Sequence, residues 1–399
     1  MVMTQEIQLA ETTDLENPSS LLIKETMRKK LTLVPLIFLI FFEVLGGPFG
    51  EEPAVKAAGP AFALLGFLVF PFIWSIPEAL ITAELATAYP GNGGYVIWAS
   101  EAFGPFWGSM MGSLKFLSGS INSAAYPAMM ADYLKENLAS FFTGKWQHPL
   151  ALCVATIVLA LLNYTGLTVV GWVAVGLGLV ALIPLVAIIG ALELTQNEWD
   201  NGYLATTAAL ISRPWLMYWV KIGSVLSNVG LFEAHLSSSS FQTEGMANLR
   251  FLPSFFAWRS KRFNTPWAGI LLSSAVSLGV SFLKFENIVS LANFLYGMGM
   301  LLEFAAFIWL RIKKPDLHRP YKVPANVPAL CILCLIPAGF VVYVMTLAKP
   351  VVYGISAGLT FIAVCNYFLM NFCKSKGCIK FDVKQDNDEQ VVEKEKTFT

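Results

Sequence analysis

Ten stretches of this chain are strongly apolar, and each is on the order of the ~20 residues that cross the hydrocarbon of a bilayer. They lie near 31–58, 60–86, 106–134, 147–163, 167–192, 215–238, 266–283, 287–311, 328–347 and 351–372. That feature leaves few folds. Inside lipid every backbone N–H and C=O must be bonded within the protein, so only helices and closed barrels span it. Barrel strands are about 10 residues long and alternate in character; these runs are longer and do not alternate. The sequence predicts an all-α polytopic membrane protein of about ten transmembrane helices, with polar tails at 1–30 and 373–399. Composition agrees: 56% of the 399 residues are apolar or aromatic and 14% are charged, against roughly a quarter charged in soluble domains. A soluble enzyme, a nucleic-acid binder and a secreted disulfide module are excluded on that ground.

Net charge is zero, so position matters more than sum. Lys24, Arg28, Lys29 and Lys30 precede the first span. Arg250, Arg259, Lys261 and Arg262 lie between spans six and seven. Arg311, Lys313, Lys314, Arg319 and Lys322 follow span eight, and Lys374, Lys376 and Lys380 follow span ten. If ten spans alternate, all four clusters fall on one side. The positive-inside rule makes that side, and both termini, cytoplasmic.

Span one is interrupted by Gly46, Gly47, Pro48, Gly50 and Pro53. Glycine and proline weaken a helix for opposite reasons, one by freedom and the other by a missing N–H. Unwound backbone at membrane depth is tolerated where it lines a cavity or is buried in protein, and in transporters such a break holds the substrate. A plain kink or a re-entrant turn is the alternative. Glu43, Glu51 and Glu52 flank the break. Intramembrane acids are costly and usually functional, so Glu43 and Glu51 are the leading candidates to bind a cation or carry a proton. Glu84 reads as a solvated helix end, Glu78 as a bridge between helices, and Glu303 as either a solvated end or a functional acid. Lys56, Lys115 and Lys221 fall near estimated span edges.

In span three, Ser118, Asn122 and Tyr126 share a face at intervals of four. In span six, Ser227, Asn228 and His235 are polar, with Asn228 and His235 on one face. Both sets either line a pathway or bond helix to helix. Cys331 and Cys334 form a CxxC without a second pair or a nearby histidine, which favours packing over metal or redox chemistry. The run Pro90 to Gly94 lacks the rest of a phosphate loop and reads as a turn or a short interfacial helix. No cofactor, metal, catalytic residue or nucleic-acid partner is expected.

FFEVLGGPFG, then KAAGP, LLGFLVFPFIWSIPEALITAELATAYP and NGGYVIWASEAFGPFWG, resemble the plant polyamine uptake transporters. These are L-amino-acid-transporter-like members of the amino acid–polyamine–organocation superfamily. LSNVGLF, PSFFAWRS, TPWAGIL, NFLYGMGMLLEFAAFIWLR and RPYKVP extend the resemblance over most of residues 31 to 350. It implies a twelve-helix, leucine-transporter-like inverted-repeat bundle and proton-coupled uptake of polyamines across the plasma membrane. By analogy, broken helices one and six hold the substrate, with helices three and eight beside them.

The chain departs from that pattern between 171 and 203. GWVAVGLGLVAL resembles family helix five, whereas IGALELTQNEWDNGY resembles the segment after helix seven. Helix six and most of helix seven are missing, on the order of 80 residues, or two spans with their loops. The junction falls near 180–190, and span six here corresponds to family helix eight. The resemblance also implies an acid at the positions of Asn122, His235 and Ser239; Glu233 is an acid gained nearby.

The functional expectation is a secondary transporter for polyamines or cationic amino compounds. Gly46, Gly47, Pro48, Gly50, Glu51, Asn122, Tyr126, Ser227 and Asn228 are expected to bind substrate. Glu43, Glu51 or Glu233 is expected to carry the proton. The alternative is a shortened, transport-inactive paralogue that acts only by associating with full-length relatives.

Overall fold

The computed structural model describes residues 32–45, 47, 49, 51–91, 93–135, 146–188, 205, 208 and 214–381. Among them no strand occurs and helices dominate. Gly46, Pro48 and Gly50, the residues around the expected 180–190 junction from 189 onward, and both polar tails outside 32–381 lie beyond the described residues.

The first span is two helices, α1 (Leu33–Val44) and α2 (Glu52–Ala58). Leu45, Gly47, Phe49 and Glu51 between them are not helical, so the interruption is real and not a kink within a continuous helix. Gly47 has φ +110°, a value that L side chains rarely adopt. Pro60 opens α3 (Pro60–Phe70), which runs through a π turn (Pro71–Ser75) into α4 (Ile76–Ala88). Pro71 supplies no N–H to the ladder, and a wider turn at that point absorbs the loss. The Pro90–Gly94 segment is a turn that leads into the short helix α5 (Gly94–Phe103).

Span three is α6 (Pro105–Ser123) followed by α7 (Ala125–Lys135). Next come α8 (Gln147–Tyr164), α9 (Leu167–Ile188) and α10 (Pro214–Asn248). Helix α10 continues well past the expected end at 238. Its polar extension is held inside: Gln242 Nε2 donates to Gly112 O at 3.0 Å, and Glu244 takes two bonds from Arg259 at 2.8 and 2.9 Å. A 3-10 turn (Ser254–Ala257), α11 (Trp267–Val280), α12 (Phe285–Lys313), α13 (Val327–Thr346) and α14 (Pro350–Ser375) complete the bundle.

Among the described residues, five helices are long and apolar enough to cross a membrane by length and composition: Pro60–Ala88, Gln147–Tyr164, Phe285–Lys313, Val327–Thr346 and Pro350–Ser375. Leu33–Val44, Leu167–Val180 and Trp267–Val280 are shorter apolar helices. Helices α6 and α10 are more polar because they form the interior. Ser109, Ser118, Ser120 and Ser123 of α6 are buried, as are Ser224, Ser227, Asn228, Ser237 and Ser240 of α10. Large apolar side chains such as Phe62, Leu68, Leu161, Leu335 and Phe361 face outward. A polar interior with an apolar coat suits lipid as the solvent. There the hydrophobic drive between helices is lost, and close packing with interhelical hydrogen bonds replaces it.

One bond network shows how helices are tied. Glu84 of α4 is 1% exposed. Arg311 Nη1 donates to its Oε1 at 2.6 Å, Arg319 Nε lies 3.0 Å from the same oxygen, and Val323 N donates to Oε2 at 2.8 Å. The solvated end expected from sequence is therefore a buried staple between α4, α12 and the following loop. Packing joins the same elements, since Ile81, Leu85, Phe304, Phe307, Leu310 and Val323 share one core cluster.

Candidate functional site

The described part of the interruption after α1 packs against the interior helices. Phe49 shares an apolar cluster with Met129, Leu216 and Val220. A Cβ added to Gly47 would lie 3.4 Å from the Phe49 ring and 3.9 Å from Ser227 Oγ. Gly47 and Ser227, both expected at the site, are thus adjacent and buried. The next residue, Asn228, is fully buried and donates through Nδ2 to the Ser224 carbonyl of its own helix at 2.9 Å. Its Oδ1 is buried with no protein hydrogen-bond partner. A buried acceptor without a donor is costly.

One helical turn before the break, Glu43 faces His235 of α10, with Oε1 3.6 Å from Nδ1. That is ion-pair range but too long for a direct hydrogen bond. On the other side of the imidazole, Asn122 Nδ2 lies 3.2 Å from Nε2 and donates to the Tyr126 hydroxyl at 2.9 Å. The Tyr126 and His235 rings stack with centroids 5.5 Å apart and 21° between their planes. If Nε2 accepts from Asn122, the ring hydrogen sits on Nδ1 and points at Glu43. Helices α1, α6, α7 and α10 therefore converge on one polar cluster. It contains four groups singled out from sequence, Glu43, Asn122, Tyr126 and His235.

The other two candidate acids are placed differently. Glu51 is exposed at the start of α2. Glu233 is buried and points to α8, where Asn163 Nδ2 donates to its Oε2 at 2.9 Å, to its backbone carbonyl at 2.9 Å and to Ser237 Oγ at 2.8 Å. A second polar group lies across the bundle, around Lys115, Glu303, Tyr296 and Glu78. Sequence reasoning put Lys115 near a span edge; the structure buries it. Cys331 and Cys334 are free thiols, and Cys334 packs in the cluster of Leu330 and Phe307.

A helical bundle with an apolar coat, a polar interior and a broken first helix packed against Ser227 has the architecture of a membrane transporter. Comparison with known proteins gives its family. The model of the amino acid permease family matches residues 31–197 and 186–364, and the chain belongs to that family. It is 41% identical to a probable polyamine transporter of Arabidopsis thaliana, over 88% of this chain and 89% of that protein. It is 39% identical to Polyamine transporter PUT1 of Oryza sativa subsp. japonica, over 90% of this chain and 81% of that protein. With Polyamine transporter RMV1 of Arabidopsis thaliana the identity is 37%, over 88% of each. Family and relatives alike are transporters and not enzymes. The first of these alignments runs over 430 positions, yet 88% of 399 residues is about 351, so about 80 positions hold no residue of this chain. The family match divides at 186–197.

Proposed function

We propose that the chain is a proton-coupled transporter that takes up polyamines, or closely related cationic amino compounds, across the plasma membrane. The observation that carries the reading is the pairing of an interrupted α1 with Glu43, a carboxylate that faces the His235 imidazole at 3.6 Å. Acceptors dominate the site: Glu43, the open Oδ1 of Asn228 and the Ser227 hydroxyl beside Gly47. An ammonium group has donors only, so a primary amine matches this set and a carboxylate does not. The names of the relatives support polyamines as the class.

Substrate enters between Glu43 and His235 and separates them. Its ammonium takes over the carboxylate, and Asn122 and Tyr126 hold the imidazole from behind. Gly46, Pro48, Gly50 and Glu51 complete the substrate site in this reading. Glu43, Glu51 and Glu233 are the acids that the sequence offers as proton carriers; Glu43 is the one beside the substrate, and in this reading its carboxylate is taken by the substrate ammonium.

Both termini are proposed to be cytoplasmic. Ser254 N donates to Lys380 O at 3.0 Å, and Lys314 pairs with Glu101. Glu101, Arg250 and Lys374 also line one cavity, so the basic segments after α10, α12 and α14 lie at one end, in keeping with the positive-inside rule. The two-span deletion is proposed to fall near 180–190, supported by the divided family match and the alignment gap. An even number of lost spans keeps the orientation of everything downstream.

Uptake of labelled putrescine and spermidine by cells or proteoliposomes carrying the chain tests the reading. Accumulation that needs an inward proton gradient and is weakened in Glu43→Gln supports it. A correctly inserted protein with no uptake of either amine overturns it.

A further inference from the structure

Lys115 lies inside the bundle with 7% of its surface exposed. Its stem crosses Gly299 of α12, where a Cβ would come within 3.2 Å of Lys115 Cε; glycine at that position makes the room. The ammonium stands 4.1 Å from the ring centre of Tyr296 and 4.4 Å from that of Tyr95. It is 3.4 Å from Glu303 Oε2 and 3.1 Å from Met300 Sδ. Thr82 Oγ1 donates to Glu303 Oε1 at 2.8 Å. The Tyr296 hydroxyl donates to Glu78 Oε1. Four helices, α4, α5, α6 and α12, thus bring two carboxyl groups and one ammonium to one place.

The charges do not balance. Lys115 neutralises one carboxylate, and the second leaves a net negative charge in a bundle coated with hydrocarbon. Such a charge is penalised unless a cation joins it. A proton is the smallest cation and needs no space. Access exists as well. Tyr296 also lines a cavity of about 450 Å³ with Phe70, Trp74, Asn293 and Phe340, and Glu78 is only partly buried. The other titratable groups around the cluster are Tyr95 on α5, Cys334 on α13, which lies within electrostatic reach of Glu303, and Glu43 on α1, within reach of Tyr95.

We propose that Lys115, Glu303, Tyr296 and Glu78 form a proton-binding site, separate from the substrate site, that loads one proton in each transport cycle. The inference rests on the proton-coupled reading above and deepens it. A proton shared by Glu43 and His235 would compete with a cationic substrate and drive exchange. Co-transport needs the proton elsewhere. Hydronium in the cavity protonates the Tyr296 hydroxyl as that hydroxyl passes its own proton to Glu78 Oε1, leaving neutral water, neutral tyrosine and a neutral set of Lys115 ammonium, Glu303 carboxylate and Glu78 carboxylic acid. The substrate site is reached through α6: Lys115 and Asn122 are two turns apart on one face of that helix, and α12 packs along it.

The test uses the full chain in proteoliposomes, with two readouts of labelled putrescine: accumulation driven by a pH gradient, and counterflow without one. Glu78→Gln and Glu303→Gln are expected to keep counterflow and to lose gradient-driven accumulation by about tenfold, within the usual range of coupling between sites. Lys115→Met combined with Glu78→Gln and Glu303→Gln removes all three charges together, leaves no lone charge, and is expected to behave alike. In the unmodified chain, dicyclohexylcarbodiimide, which attacks protonated membrane carboxyls, should label Glu78 or Glu303 faster at acidic pH. This arm decides the matter if the variants do not insert. Variants that accumulate putrescine as the parent does, variants that lose both readouts equally, or an absence of label on both acids overturn the proposal. A parent chain with neither readout overturns the transporter reading instead, and one with counterflow but no gradient effect overturns proton coupling.

Discussion

Glu43 on the last turn of α1 and His235 within α10 face each other across 3.6 Å, with neither side chain fully buried. The pair is open enough to admit a ligand and close enough to define where its charge goes. A carboxylate–ammonium contact at such a half-exposed position contributes about 1–2 kcal/mol after solvent screening. Glu43→Gln should therefore raise the KM for putrescine by about 5- to 30-fold. His235→Glu adds a second carboxylate and should lower it. Initial rates of labelled uptake against substrate concentration give both values.

Gly47→Ala places a side chain at φ +110° with its Cβ 3.4 Å from the Phe49 ring. Strained backbone of this kind costs about 1–3 kcal/mol, and here the cost falls on the geometry of the break. Transport should drop while the protein still inserts and runs as a single species on size-exclusion chromatography. Wild-type uptake in this variant would show that the backbone at Gly47 has no part in the site.

The buried Glu84 staple makes a prediction about stability alone. Removing one member of a buried ion pair leaves its partners uncompensated, at a cost of about 3–5 kcal/mol. Glu84→Ala strands Arg311 and Arg319 and should lower the thermal midpoint of the detergent-solubilised protein. The KM of the surviving folded fraction should stay unchanged, because Glu84 lies away from the break.

Asn163 ties α8 to α10 through three contacts on one amide nitrogen. Asn163→Leu leaves Glu233 and Ser237 short of a donor and should cost about 1–3 kcal/mol. The loss is expected as a lower thermal midpoint. Glu233→Gln tests the same contact from the other side.

The bundle was legible in sequence because lipid imposes a coarse rule, and the runs at 60–86 and 328–347 obey it without ambiguity. The break was legible for a local reason: glycine and proline disrupt a helix through their own backbones. The Asn122–Tyr126 bond follows from a spacing of four. What stayed hidden was pairing between distant segments. Lys115 reads as an edge residue until α12 brings Tyr296 and Glu303 to it. Glu84 reads as a solvated end until Arg311 and Arg319 close on it. The length of α10 was missed because its last turns are polar, and hydropathy cannot mark polar residues that are buried among other helices.

Equilibrium binding of labelled putrescine to the purified chain tests the central claim most directly, because it is independent of whether the transport cycle turns over. The account predicts saturable binding that weakens by about tenfold in Glu43→Gln and tightens in His235→Glu. Binding of equal strength in the parent and both variants, or no saturable binding to a folded parent, would contradict it.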